Sequence, residues 1–220
     1  RRADKSLIRP EHNTDRYFDA IVDTSVEWFA PYAKNILLIG YGNHETAIIK
    51  HGETDLLQRF ASTLNYATGS AVQVGGYGGT IDIRVLHDTI RGVNFVVHYF
   101  HGHSGGGAVS RGVIHDQRLL AGTEGYDLTW MGHVHESTEI TYTMEYLSAK
   151  AVVYLRDVLM IRTPSYKEEY QDGSKGWHVE RMAPPKPLGA RWIELVPRRS
   201  KFNNKADTIS AHTYKTDING

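Results

Sequence analysis

Three short apolar runs along the chain each lead into a polar cluster that is rich in histidine. The apolar runs cover residues 36–39, 94–99 and 128–131, and the clusters that follow them cover 42–45, 101–103 and 132–135. Short apolar runs that end in glycine or polar residues are typical of buried strands. α/β enzymes hold their ligands at the carboxyl ends of such strands. The pattern therefore predicts one metal site assembled from three distant strand ends.

The rest of the pattern predicts helix–strand alternation first and strands later. Apolar residues at helical spacing predict helices at 14–33, 54–65 and 116–121. Apolar–polar alternation predicts strands at 71–74, 81–86, 139–146, 151–156, 158–162 and 192–196. The glycines at 75–79 predict a turn between two of these strands. We expect one α/β domain over residues 1–220, with a polar tail from about residue 200 that frays.

Composition narrows the classes of function only slightly. The 220 residues carry 25 Lys and Arg against 25 Asp and Glu, so net charge points to neither nucleic acid nor an anionic membrane. No cysteine is present, which excludes disulfides and thiolate metal ligands. No apolar run is long enough for a membrane span, and no signal peptide begins the chain, so we expect a cytoplasmic protein with no membrane partner. The chain starts without methionine, which leaves an upstream leader open.

Residues 181–205 contain seven Lys or Arg and one acid. Such a stretch favours either a solvated basic surface or contact with a polyanion, and the sequence leaves both open. Nothing in the sequence indicates an oligomeric state.

The clusters carry the residue types of a site for divalent ions. His133 and His135 are two positions apart, so extended backbone would point both rings the same way. Imidazole nitrogens and the amide oxygen of Asn43 suit Mn, Fe, Zn or Ni. Two such ions can clamp a phosphoryl group between them. His44 could supply the proton for the leaving oxygen, with Glu45 keeping the imidazole protonated; Glu45 could equally be an acid at a helix N-terminus.

In this order, the sequences Gly-Asn-His-Glu at 42–45, His-Gly at 101–102 and Gly-His-Val-His at 132–135 resemble the calcineurin-like metallophosphoesterases. The resemblance covers about residues 15–192, and the glycine-rich run at 102–112 resembles phage and bacterial members. It implies a four-layer α/β/β/α sandwich with two divalent ions, manganese above all, at the strand ends. It also implies hydrolysis of a phosphate ester by a metal-bridging hydroxide.

The resemblance also implies roles for single residues. The metal ligands it indicates are Asn43, His101, His133 and His135. His44 corresponds to the imidazole that assists the leaving group, with Glu45 beside it. His98 and His103 have no counterpart in the family's motifs; we expect His98 to pack within its strand and His103 to contact substrate. The family's earlier motifs, Asp-x-His and Gly-Asp-x-x-Asp, do not precede Asn43, so we expect the N-terminal strands to be missing from this chain.

Two functions follow from these motifs. The first is a metal-dependent phosphodiesterase or nuclease. Its substrate would be a phosphate ester, and nucleic acid is one candidate substrate. The alternative is a non-catalytic binding module of the same fold, or an inactive fragment. A hydrolase with one ion that acts on another bond ranks last, because no carboxylate is placed as its general base.

Overall fold

The computed structural model describes residues 8–87, 90–103, 112–166, 184–198 and 208–216. Its contacts divide the chain into two compact units, Arg1–Gly78 and Gly79–Gly220. Each unit has an apolar core of its own. The expectation of one domain over residues 1–220 stays a prediction. No helix among the described residues has the length and apolar character needed to cross a membrane.

The first unit is mostly helical. Its helices are α1 (Tyr17–Phe29), α2 (Asn43–Gly52) and α3 (Leu56–Thr68), with short 3-10 helices at Pro10–His12 and Ala30–Asn35. Its strands are β1 (Leu38–Ile39) and β2 (Gln73–Val74), which pair in parallel.

Local chemistry sets the ends of these helices. The side chain of Asp55 accepts a hydrogen bond from the Gln58 N–H at 2.9 Å and so caps the start of α3. Gly69 ends α3 with a φ of 65°, which only glycine adopts without penalty. The predicted helix at 14–33 is shorter in the structure: α1 ends at Phe29, and Pro31 falls in the following 3-10 helix. Proline cannot donate to an α-helical hydrogen bond, which explains the break.

The core of the first unit forms where α1 meets α3. Val22 and Val26 from α1 pack against Phe60 and Leu64 from α3, and Leu64 is completely buried. These residues share the apolar stripe of each helix, as the helical spacing predicts.

The second unit is built on strands. Its strands are β3 (Gly78–His87), β4 (Ile90–Phe100), β5 (Leu128–Met131), β6 (Thr138–Leu147), β7 (Val153–Arg162), β8 (Ala190–Arg198) and β9 (Thr208–Thr216), and its helix is α4 (Val113–Ala121). Five strands form one sheet in the order β3-β4-β5-β7-β6. β4, β5 and β7 run parallel, and β6 is antiparallel to β7. The prediction of a mixed α/β fold is confirmed.

The five-stranded sheet of the second unit is covered on both faces. On one face, Leu120 of α4 packs with Met131, Val158 and Met160. On the other face, the core around Leu128 and Ile161 includes side chains of β8 and β9. The second unit therefore has three layers: a helix, the five-stranded sheet and the β8–β9 sheet.

The predicted polar tail is wrong over part of its length. Within it, Thr208–Thr216 forms strand β9, which pairs antiparallel with β8 from Ala190↔Thr216 to Arg198↔Thr208. Ile209 and Ala211, two positions apart, both pack against the core. Two apolar residues in an otherwise polar segment are too few to predict a strand.

The strands predicted at 151–156 and 158–162 are one continuous strand, β7. Asp157 does not break it, because its carboxylate accepts a hydrogen bond from the Thr143 hydroxyl of the neighbouring strand at 2.7 Å.

Candidate metal centre

Two of the histidine clusters leave the sheet at the same edge. β4 and β5 are parallel and in register, with Phe100 opposite Met131 as their last residues. The chain therefore enters His101-Gly102 and Gly132-His133 from neighbouring strand ends. This is the edge at which open parallel sheets hold ligands.

A glycine allows the two loops to approach closely. Gly102 is buried with a φ of 90°, a conformation that side chains rarely adopt. A Cβ atom at this position would lie 3.1 Å from the Gly132 carbonyl oxygen and 3.5 Å from the Cβ atom of His133. Gly102 thus lets the first loop pack directly on the backbone of the second.

The close approach brings two imidazoles into contact. The Nε2 atom of His101 lies 3.0 Å from the Nδ1 atom of His133, and the ring centroids are 4.9 Å apart at an angle of 67°. Two nitrogens that bind one octahedral ion in adjacent positions, about 2.1 Å from it and about 90° apart, lie about 3.0 Å from each other. The observed separation is that of a hydrogen bond between the two rings, and it also fits two adjacent ligands of a single divalent ion.

The backbone after β5 makes a tight turn rather than continuing as a strand. The Val134 N–H donates to the Gly132 carbonyl oxygen at 2.8 Å, and His133, between them, has a φ of 67°. His135 also lies in the left-handed region, with a φ of 55°. The expectation that His133 and His135 share a direction on extended backbone is therefore wrong, because neither residue is extended.

Left-handed conformations at two histidines are a cost that packing must offset. Each such residue costs about 1–3 kcal/mol and is found mainly at binding and catalytic sites. His135 as a ligand stays a prediction. The next residue, Glu136, forms a half-buried ion pair with Lys186, which ties this loop to the segment before β8.

The first cluster lies in the first unit, at the start of α2. Asn43 and His44 are exposed in the first helical turn after β1. The Glu45 carboxylate accepts a hydrogen bond from the Gly42 N–H at 2.9 Å, which is one half of a capping box, because Gly42 has no side chain to form the other half. Glu45 thus has the helix-terminal role that the sequence left open, and its catalytic role stays a prediction. Burial, together with the charge of Glu45, raises the pKa of Tyr77.

His103 is exposed and lies beside a histidine that the sequence did not single out. Its ring is 5.9 Å from that of His115 at an angle of 62°. The helix expected at 116–121 begins three residues earlier, at Val113, which brings His115 into its first turn. A correct helix start would have shown His115 as a neighbour of the second cluster.

His98 serves packing, as its place inside β4 indicated. Its ring stacks on Tyr126 with centroids 4.7 Å apart. Burial lowers the pKa of His98, so the ring is held neutral.

Over the described parts of the chain, no group of three or more His, Asp or Glu side chains is placed to hold a metal ion. His101 and His133 are therefore a pair of donors and need further ligands. Comparisons with models of protein families, with curated proteins and with solved structures found no match.

Proposed function

We propose that this chain is part of a metal-dependent phosphoesterase, a phosphodiesterase or nuclease, with a four-layer metallophosphoesterase sandwich. The observation that supports this proposal is the pair of imidazole nitrogens 3.0 Å apart at two parallel strand ends. The three-motif resemblance supplies the reaction class.

In this proposal, His101 and His133 hold one divalent ion. From the resemblance alone come Asn43 as a further metal ligand and His135 as a ligand of a second ion. Bound divalent ions of this kind supply charge neutralisation for the phosphate and activation of water. His44 is exposed at the start of α2 and can exchange protons with solvent or a leaving oxygen. Glu45 fixes the helical turn that presents His44, through its bond to the Gly42 N–H.

The structure describes three cations of the basic stretch, and two of them are paired with acids. Lys186 is paired with Glu136, and Arg191 is paired with Glu139 at 3.1 Å, whereas Arg198 is exposed and donates to the Ser210 hydroxyl. Charges that are already neutralised add little to phosphate-backbone binding. Small phosphodiesters are therefore the first substrates to test, and DNA and RNA follow.

Calorimetric titration of the chain with Mn²⁺ tests the metal site directly. We expect binding that His133→Ala weakens at least tenfold, because one of two paired donors is lost. His212→Ala is the matched control: His212 is an exposed histidine on β9 of the same unit, and its loss should leave the affinity unchanged. Equal affinities of His133→Ala and the unaltered chain would contradict the proposed site.

Hydrolysis is then measured with bis(p-nitrophenyl) phosphate, a diester, and p-nitrophenyl phosphate, a monoester. Turnover of the diester that needs Mn²⁺ and His133 supports the phosphodiesterase. Cleavage of DNA with affinity that falls as salt rises would identify a nuclease. Mn²⁺ binding without turnover of any ester would favour the alternative, a non-catalytic module of the same fold.

A further inference from the structure

A buried ion pair lies close to the paired histidines. Arg162 is the last residue of β7 and lies opposite Met131, the last residue of β5. Its Nε atom donates to the Asp116 carboxylate at 2.8 and 3.0 Å, and a second guanidinium nitrogen donates to the Gly112 carbonyl oxygen at 3.0 Å. The exposed fractions of the Arg162 and Asp116 side chains are 2% and 0%.

Stability alone does not account for this pair. Burying two charges costs desolvation energy that their attraction repays only partly, and apolar residues of similar size often stabilise a core as well or better. The backbone is also shaped around the guanidinium. Gly112 has a φ of 90°, and a Cβ atom there would lie 2.7 Å from the guanidinium. The pair therefore fixes the positions of Gly112 and Asp116 relative to the end of β7, where an apolar contact would fill the space but set no such positions.

The pair joins the two elements that border the histidines. On one side, the Thr163 N–H after Arg162 donates to the Met131 carbonyl oxygen at 2.9 Å, directly before Gly132. On the other side, Asp116 lies in the first turn of α4, next to His115, whose ring contacts His103. His103 in turn follows Gly102, which packs on the Gly132 backbone.

We propose that Arg162 and Asp116 are positioning residues that hold the loops of His101 and His133 at the separation required for one metal ion. This inference rests on the proposed metal site. It assigns the pair a role in placing ligands rather than in stabilising the fold. Neither residue touches the ion or the substrate.

The test replaces the pair by apolar residues of similar size, in the double variant Arg162→Met, Asp116→Leu. We expect the midpoint of urea unfolding to stay the same or rise. We expect the Mn²⁺ dissociation constant to rise about 10–100-fold, the usual effect of removing groups that orient metal ligands. The visible spectrum of the Co²⁺ form should change as well. Unchanged stability with unchanged metal affinity and spectrum would overturn the inference.

Two further variants keep the test decisive. Arg162→Lys retains the charge but cannot bridge Asp116 and Gly112 together, so it should fold and still lose affinity. Arg156→Met is the matched control. Arg156 lies on the same strand as Arg162, six positions before it, and forms an ion pair with Asp127. The loss of Arg156 should leave metal binding unchanged. A loss of affinity in Arg156→Met as large as in Arg162→Lys would overturn the positioning role.

A readout without metal separates this inference from the proposed function. The ¹⁵N chemical shifts of the His101 and His133 rings report the contact between Nε2 and Nδ1. If the unaltered chain binds neither Mn²⁺ nor Co²⁺, the proposed metal site fails, yet the shifts still test the pair. Shifts that move in Arg162→Lys and not in Arg156→Met support positioning, and shifts that stay the same in both refute it.

Discussion

Replacing Gly102 by alanine is the sharpest single perturbation of the candidate metal centre. The new methyl group would meet the Gly132 carbonyl oxygen at 3.1 Å and the Cβ atom of His133 at 3.5 Å. The first distance is shorter than an ordinary contact, so the Gly132 backbone must move by a few tenths of an ångström. That movement passes directly to His133, the next residue.

The expected magnitude has two parts. Alanine at a φ of 90° costs about 1–2 kcal/mol of folding free energy, whatever surrounds it. For a chain of this size, that cost lowers the melting temperature by about 2–4 °C per kcal/mol. The second part is specific to the site. Displacing a metal ligand through its neighbours typically weakens binding about 10–100-fold, and the small shift here favours about tenfold.

Gly125→Ala separates these two parts. Gly125 has the same φ of 90°, but nothing lies within 4 Å of the position its Cβ atom would take. Both variants should therefore lose similar stability in thermal or urea unfolding. Only Gly102→Ala should weaken Mn²⁺ binding in calorimetry, and it alone should disturb the ¹⁵N shifts of the His101 and His133 rings.

Two results would refute this reasoning. Gly102→Ala with unchanged Mn²⁺ affinity would mean that the close approach of the two loops does not set the ligand geometry. An equal loss of affinity in Gly125→Ala would mean that affinity follows overall stability rather than local contact.

Three other perturbations test the fold and its electrostatics. Burial lowers the pKa of His98, so the stability of the unaltered chain should fall as pH drops below about 6.5. His98→Phe keeps the stacking on Tyr126 and should lose less stability between pH 7 and 5 in urea unfolding. Equal losses would contradict the assignment of this pH dependence to His98. Leu64→Ala should lower the free energy of unfolding by about 2–5 kcal/mol, because Leu64 is completely buried. Tyr66 lies on the same helix and is 93% exposed, so Tyr66→Ala should cost less than about 0.5 kcal/mol. Similar costs for the two variants would refute the described core. Glu45→Ala should lower the free energy of unfolding by about 0.5–1 kcal/mol, because α2 loses the hydrogen bond at its start. Glu45→Gln keeps an acceptor oxygen and should lose less stability. Equal losses in the two variants would argue against the capping hydrogen bond.

Strong local patterns allowed part of the fold to be predicted from the sequence. The strand expected at 128–131 has the observed bounds of β5, because an apolar run of this length is too short for a typical helix and suits a buried strand. Strand β9 was missed because only Ile209 and Ala211 mark its inward face, and its pairing with β8 is a long-range property. Propensity and pattern carry no information about which partner a polar strand will find.

Of the candidate metal centre, too, part could be predicted from the sequence and part could not. The sequence places His101 and His133 after apolar runs, and the parallel pairing of β4 with β5 turns that order into proximity. The pairing of Arg162 with Asp116, 46 positions apart, has no local signal at all. Nor does the left-handed backbone of His133, since histidine, although enriched in that conformation relative to most residues, adopts it in only a small fraction of cases.

The unfavourable turn at His133 identifies which part of the sheet holds the candidate metal centre in place. A residue in the left-handed region persists only where its surroundings over-determine it. Directly before the turn, β5 is anchored on both sides by parallel pairing with β4 and β7, and Leu128 and Thr129 are fully buried. The Met131 carbonyl oxygen accepts from the Thr163 N–H, so the last residue before the turn is fixed as well. Rigidity at β5 therefore offsets the cost of the turn, and substitutions that loosen this strand should separate the two histidines before they unfold the second unit.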